Sequence, residues 1–221
     1  MLKSFSFEDA DKIAQNIEGW LGTNEPKLLY DTAKKLSLDG AIVEIGSWCG
    51  KSLTYISFGA IEGGFTNKIY SIDPFLTSKD ESNGKYETFV SNLKTNGLWD
   101  KITHIKEKSQ IAGETFSEKI SFLFIDGFHK YEAVKEDFEL FYPKVIDGGF
   151  VAFHDVAYYQ GPTDLVKELV NEKTFKMLTL CDSILLAQKV SRLSPEDELQ
   201  NAKIVNDINT KLKLENITPI V

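Results

Sequence analysis

Two short stretches carry side chains that could move a proton or hold a polar substrate. Asp126 and His129 lie in ISFLFIDGFHKY, and His154 and Asp155 close FVAFHD. Each pair follows an apolar run, so Asp126 and Asp155 stand at the ends of predicted strands. An imidazole near its neutral pKa suits removal of a proton from a hydroxyl. His129 therefore reads either as a general base or as a helix-start residue bonded to Asp126 or Asp155, and the residues alone leave both open. His154 reads as a strand-end histidine that orients Asp155, and His104 as a structural residue on a predicted strand.

A second chemical feature is the loop in VEIGSWCGKSLTYIS, residues 43–57, which contains Glu44, Gly46, Ser47, Gly50 and Ser52. A strand ends at Gly46 and a helix begins near Gly50, so backbone amides at the helix start point toward the sheet edge. A nucleotide P-loop would place four residues between Gly46 and Gly50, where this chain has three. A dinucleotide site would need glycine where Trp48 stands, and an indole there obstructs approach to a pyrophosphate. The third reading combines E-x-G-x-x-x-G with an acid at the end of the next predicted strand, Asp73 in KIYSID. Cys49 sits near the helix start, where a thiol pKa can fall, but its apolar neighbours favour packing.

These residues need a scaffold that brings strand ends to one rim. Apolar runs at 41–46, 68–73, 102–105, 120–126 and 150–155 alternate with helical candidates at about 51–61, 85–96, 109–117, 130–142 and 163–172. Such strands, separated by helices, predict a parallel sheet covered on both faces: an α/β, doubly wound, mostly parallel seven-stranded sheet. FKMLTL and SILLAQKV are joined only by Cys181-Asp182, too short for a crossover, so they predict a C-terminal antiparallel hairpin. Two added helices precede residue 41, one from Phe5 to Trp20 with Phe7, Ile13, Ile17 and Trp20 at helical spacing, and one starting at Pro26 and stopping near Asp39-Gly40. Another opens at Ser194-Pro195, with Leu199, Ala202, Val205, Ile208 and Leu212 on one face. That face could pack on its own domain or on a second copy of the chain, so a homodimer stays open. EAVKEDFEL reads as a solvated acidic face over an apolar stripe.

The chain has 221 residues, 25 basic and 33 acidic, and a net charge of −8. One domain accommodates it: helices over 1–40, a core over 41–190 and a helical extension over 191–221. The acidic balance argues against nucleic acid and anionic membrane as partners and for a small-molecule substrate. The start lacks an apolar signal segment, the two cysteines are far apart, and no apolar run spans a bilayer. A cytoplasmic location is expected, and the N-x-T sequon at Asn216 is not expected to carry glycan.

The stretch 120–156 also resembles a branch of small-molecule methyltransferases written I-D-G-x-H-x-Y, then a helix, P-x-L-x-x-G-G and H-D. That branch carries an E-I-G-S-x-x-G-x-S loop, matched by Glu44 to Ser52, and D-P after the second strand, matched by Asp73-Pro74. Over roughly residues 22–190 the chain resembles the class I S-adenosylmethionine-dependent methyltransferases, with a Rossmann-like methyltransferase fold. The resemblance implies methyl transfer from S-adenosylmethionine, most simply O-methylation of a small hydroxylated metabolite or sugar. A non-catalytic S-adenosylmethionine-binding module of the same fold is the alternative.

It also implies roles. Glu44, Gly46, Ser47, Gly50, Ser52 and Asp73 would hold the cofactor, with Asp73 on the ribose hydroxyls. Ser109 and Gln110 would meet the adenine. Asp126 and His129 would be catalytic, His129 as base. In catechol-type and sugar relatives acids at these positions hold Mg²⁺, which implies a metal on Asp126, His154 and Asp155. His154 departs from the acid found there, and imidazole suits Mn or Zn better than Mg. Tyr158 and Tyr159 lie in a loop where an acceptor could stack.

Overall fold

The computed structural model describes residues 6–36, 39–76 and 84–214. The sequon at Asn216 and the predicted helix start at Phe5 lie outside them. Seven strands form one sheet: β1 (Ala41–Ile45), β2 (Ile69–Ile72), β3 (Ile102–Ile105), β4 (Ile120–Ile125), β5 (Val145–Phe153), β6 (Phe175–Cys181) and β7 (Ile184–Lys189). Their order is β3-β2-β1-β4-β5-β7-β6. The first five strands run parallel, and β7 enters antiparallel between β5 and β6. This is the expected doubly wound sheet with its C-terminal hairpin.

Helices cover both faces. On one lie α1 (Phe7–Ala14), α2 (Glu25–Lys34), α3 (Lys51–Glu62) and α4 (Gly84–Thr95). Their Ala10, Leu29, Leu53 and Phe89 pack on Ile42, Phe122 and Phe124 of the sheet. The other face carries α5 (Ser109–Thr115), α6 (Tyr131–Phe141), α7 (Gln160–Glu168) and α8 (Pro195–Leu214). There Phe138, Phe141, Leu165 and Ile208 pack on Val43, Leu123 and Val151. The alternation of Phe122, Leu123, Phe124 and Ile125 between the two cores is the period-two geometry of a strand buried on both sides. On the first face, a Cβ at Gly59 would meet the Tyr30 carbonyl oxygen at 2.2 Å, so α3 lies against α2 only because it is glycine.

Three elements differ from the sequence reading. The first helix ends at Ala14 rather than Trp20: the Asn16 side chain donates to the Lys12 carbonyl (2.7 Å), competing with the next turn. Residues 15–24 run on without helix, and Trp20 is exposed. α2 likewise ends at Lys34, not near Gly40. In α8 the buried stripe is Asn201, Ile204 and Ile208, while Leu199 and Ala202 face outward. Asn201 shifts the phase because it pairs with an edge strand. Its Nδ2 donates to the Phe175 carbonyl (2.7 Å), and its Oδ1 accepts from the Met177 amide (2.8 Å). The helix thus packs on its own sheet and occupies the β6 edge.

That buried pairing is testable. Asn201→Ala leaves a donor and an acceptor of β6 unpaired and should cost about 1–3 kcal/mol. Denaturant unfolding checks it; a wild-type midpoint would contradict the assignment.

Candidate active site

The strand order reverses between β1 and β4, and there the parallel strands end at one rim. A Cβ on Gly46 would lie 2.0 Å from the Asp126 carbonyl oxygen, and its φ is +85°. Only glycine lets the loop after β1 pass the end of β4. The loop then turns into α3 through Gly50, the residue before the helix, with φ +88°. Asp73, just beyond β2, fastens the turn. Its Oδ2 accepts from the Ser47 amide (2.8 Å) and the Trp48 amide (2.9 Å), and its Oδ1 from the Phe75 amide (2.5 Å). Burial outweighs those bonds and pushes the Asp73 carboxyl up. Trp48, Phe75 and Asp155 adopt positive φ at or beside this rim (+47°, +54° and +59°), strain that concentrates where function does.

The rim encloses a cavity of about 620 Å³, within the range of small-molecule sites. Gly46, Ser47, Ser52 and Asp73 border it on one side, and Ser109 and Gln110 on another. Asp126, His129, His154 and Asp155 form its floor and far edge. Ser109 is the first residue of α5, whose cap residue, Lys108, makes no side-chain cap bond. Glu44 and Gly50 do not border the cavity. Glu44 is fully buried beneath the loop, where Ser52 donates to it (2.6 Å) and its second oxygen has no partner. Burial pushes its carboxyl up to about 8.

His154 is buried between two acids. Its Nδ1 lies 3.0 Å from Asp126 Oδ1 and its Nε2 3.1 Å from Glu25 Oε2. Burial opposes the charged imidazole, but Asp126, Glu25 and Asp155 outweigh it and push the pKa up to about 11. Burial works against the Asp126 carboxylate too, yet His154 and His129 hold its pKa below the ordinary value. Asp155, where burial wins, is pushed up. His129 Nε2 lies 3.1 Å from Asp155 Oδ2 and 3.8 Å from Asp126 Oδ1. It is aligned with neither and makes no hydrogen bond. The ring packs against Tyr159 at a tilt of 34°, with centroids 4.1 Å apart. Tyr159 thus supports His129 rather than the open cavity, and Tyr158 lies under Lys211.

Three residues at the cavity or behind its wall escape a reading of the sequence. Glu25, at the first turn of α2, has no exposed surface; it accepts from the Ser183 amide (2.7 Å), the Ser183 hydroxyl (2.6 Å) and the Gly22 amide besides facing His154. Nothing local separates it from an ordinary first-turn acid. Asp137, in the acidic stretch read as a solvated face, is buried and borders the cavity, with Oδ1 unpartnered. Burial pushes its carboxyl up to about 6. Its spacing from Val134, Phe138 and Phe141 was the available signal. Trp20, expected on a helix stripe, stands at the cavity mouth 5.9 Å from Trp48. Elsewhere the expectations agree: His104 bonds Tyr86 and stacks on Trp99, and Cys49 is buried with its thiol pKa raised by burial.

A family model described as "Methyltransferase domain" matches residues 43–156, just over half the chain and the span that holds the loop and both strand-end pairs. The chain belongs to this methyltransferase family. An uncharacterised protein of Acanthamoeba polyphaga mimivirus, R132, is 34% identical over 122 residues. The match takes in 49% of the chain and 53% of that protein, so the chain spans about half the length of this curated relative. Among solved structures, the O-methyltransferase NovP superposes with TM-score 0.67 at 17% identity, covering 76% of this chain and 81% of NovP. The O-methyltransferase TomG of Streptomyces achromogenes, solved in complex with SAM, gives 0.61 at 15%, covering 84% and 88%. At these identities the structures establish the methyltransferase fold, including the antiparallel end of the sheet. No helix among the described residues is long and apolar enough to cross a membrane.

The buried acid under the loop makes a pH prediction. Folding raises the Glu44 pKa from 4.5 to about 8. The folded chain therefore keeps a proton that the unfolded chain releases, and stability falls as pH rises between those values. Glu44→Gln should remove that part of the decline, flattening Tm between pH 5 and 8.5 by about 5 °C. Parallel melting profiles would contradict it.

Proposed function

We propose that the protein transfers a methyl group from S-adenosylmethionine to an oxygen of a small acceptor. One observation carries the reading: the glycine loop, Asp73 and the Asp126–Asp155 rim, far apart in sequence, border one cavity in a chain of the methyltransferase family. When bound, the cofactor would supply a methyl group on a sulfonium sulfur, which an acceptor oxygen takes in line as the neutral thioether leaves with the C–S electron pair.

The protein's part is to bind, align and handle the proton. Gly46 and Ser47 offer backbone-lined space for the methionine end, with Glu44 and Gly50 setting the loop's shape from behind. Asp73 has three amides on its two oxygens and keeps acceptor capacity for a ribose hydroxyl. Ser109 and Gln110 suit the adenine, and the unpartnered oxygen of Asp137 suits its amino group. At the rim, the His129 imidazole beside Asp155 takes the acceptor's proton as the O–CH₃ bond forms.

The mouth describes the acceptor. Trp20, Leu76 and Phe128 border the cavity and are exposed, at 74%, 70% and 66%. Apolar side chains left open around a polar floor fit a small molecule with an apolar or aromatic body and a hydroxyl at its reacting end. The chain's net charge of −8 gives a phosphate backbone little to hold. These features favour a small-molecule acceptor over nucleic acid or membrane.

Asp73→Ala should abolish binding of S-adenosylhomocysteine in calorimetry while circular dichroism stays that of a folded α/β chain. Wild-type affinity in the folded variant would overturn the cofactor assignment.

A further inference from the structure

The cavity is acidic: Glu18 and four aspartates border it, against two lysines, Lys51 and Lys108. Lys108 directly precedes Ser109 and Gln110, on the side that suits the adenine. Lys51 stands at the glycine loop, as the first residue of α3 after Gly50. Among the described residues its ammonium faces no carboxylate and donates only to the Gly19 carbonyl (3.2 Å). An ammonium has three hydrogens, so two further bonds are within its capacity. Neighbouring donors are already committed. Lys85 pairs with Glu18 (2.7 Å), and the Ser52 hydroxyl gives its one hydrogen to Glu44 (2.6 Å). Gly19 belongs to the strap at 18–22 and has φ +154°. A Cβ on it would lie 3.1 Å from Lys51 Cβ and 3.2 Å from Lys51 Cδ, so the strap rests on the lysine stem. The same strap carries Trp20 to the cavity mouth.

We propose that Lys51 pairs with the carboxylate at the amino-acid end of the cofactor while keeping the Gly19 carbonyl, and so fixes the strap at 18–22 when the cofactor is bound. The inference rests on the cofactor reading given above and adds a residue to it. Charge decides the assignment. S-adenosylmethionine carries two positive groups, the sulfonium and the ammonium, and one negative group, the carboxylate. The acids around the cavity suit the first two and repel the third. At the glycine loop, where the methionine end has its space, Lys51 is the cation without an acid of its own. The unpaired amides in the first turn of α3 favour an anion at the same place. One ammonium would then hold the ligand and the strap together. At its other end the strap is already tied down, since the Gly22 amide donates to Glu25.

The test titrates the full chain in the calorimeter with S-adenosylhomocysteine and with its decarboxylated counterpart, which keeps the adenosine, the thioether and the amine. Wild type should bind S-adenosylhomocysteine about tenfold or more tightly than the counterpart. Lys51→Met, checked for a folded spectrum, should lose about that factor for S-adenosylhomocysteine and bind the counterpart as wild type does. Lys51→Arg, which keeps the charge, should retain most of the preference. If Lys51→Met does not fold, Lys51→Gln takes its place. Hydrogen exchange reads the strap: S-adenosylhomocysteine should slow the amides of residues 18–22 in wild type, and neither the counterpart nor Lys51→Met should reproduce that protection. Equal losses for both ligands, or equal protection of the strap by both, would overturn the proposal. So would a folded Lys51→Met with wild-type affinity for S-adenosylhomocysteine, a result that leaves the cofactor reading standing and removes Lys51 alone. Folded wild type that binds neither ligand refutes the cofactor reading, and the proposal with it.

Discussion

The carboxylate of Glu25 joins more of this molecule than any other side chain at the site. Wholly removed from water, it gathers donors from the segment before α2, from the turn between β6 and β7, and from the imidazole at the end of β5. A buried charge is tolerated only when its lone pairs are met, and removing one partner strands the rest. The hairpin, the N-terminal helices and the reactive rim are therefore not independent additions to a core. Each must be in place for that carboxylate to be satisfied. Through His154 the same constraint sets where Asp126 stands. Despite burial, the bonds from His154 and Ser183 hold the Glu25 carboxyl below its ordinary pKa, so it stays charged at the centre of this arrangement.

The opposite wall is held differently. Asp73 accepts three backbone amides and so shapes the glycine loop, while Gly46 lets that loop cross the end of β4. One acid thus serves the architecture and, in the reading proposed, the cofactor. The strap at 18–22 closes over this wall: Lys51 reaches the Gly19 carbonyl, and Lys85 pairs with Glu18 while lying over the Trp48 ring. Tryptophan where a dinucleotide fold would carry glycine becomes, in this chain, part of a roof.

What could be read in advance follows from how far each signal reaches along the chain. Strands buried on both faces write themselves as apolar runs, so β1 to β5 and the hairpin were legible, as were the acids closing β2 and β4. Asp137 and Trp20 were misread because acidic composition and helical spacing are averages, and a single buried acid or an early helix end hides in them. Asn201 shifted the α8 stripe for the same reason: a polar residue that pairs with a strand edge looks exposed in sequence. Glu25 and the inward turn of His129 had no local signal, since both depend on partners far along the chain.

The claim on which the rest stands is that the cavity takes S-adenosylmethionine. The most direct measurement is calorimetric titration of the wild-type chain with S-adenosylhomocysteine, NAD and ATP in turn. Saturable binding of S-adenosylhomocysteine at one site per chain, with no heat from NAD or ATP, is the result expected. Binding of NAD or ATP with S-adenosylhomocysteine silent would contradict the account.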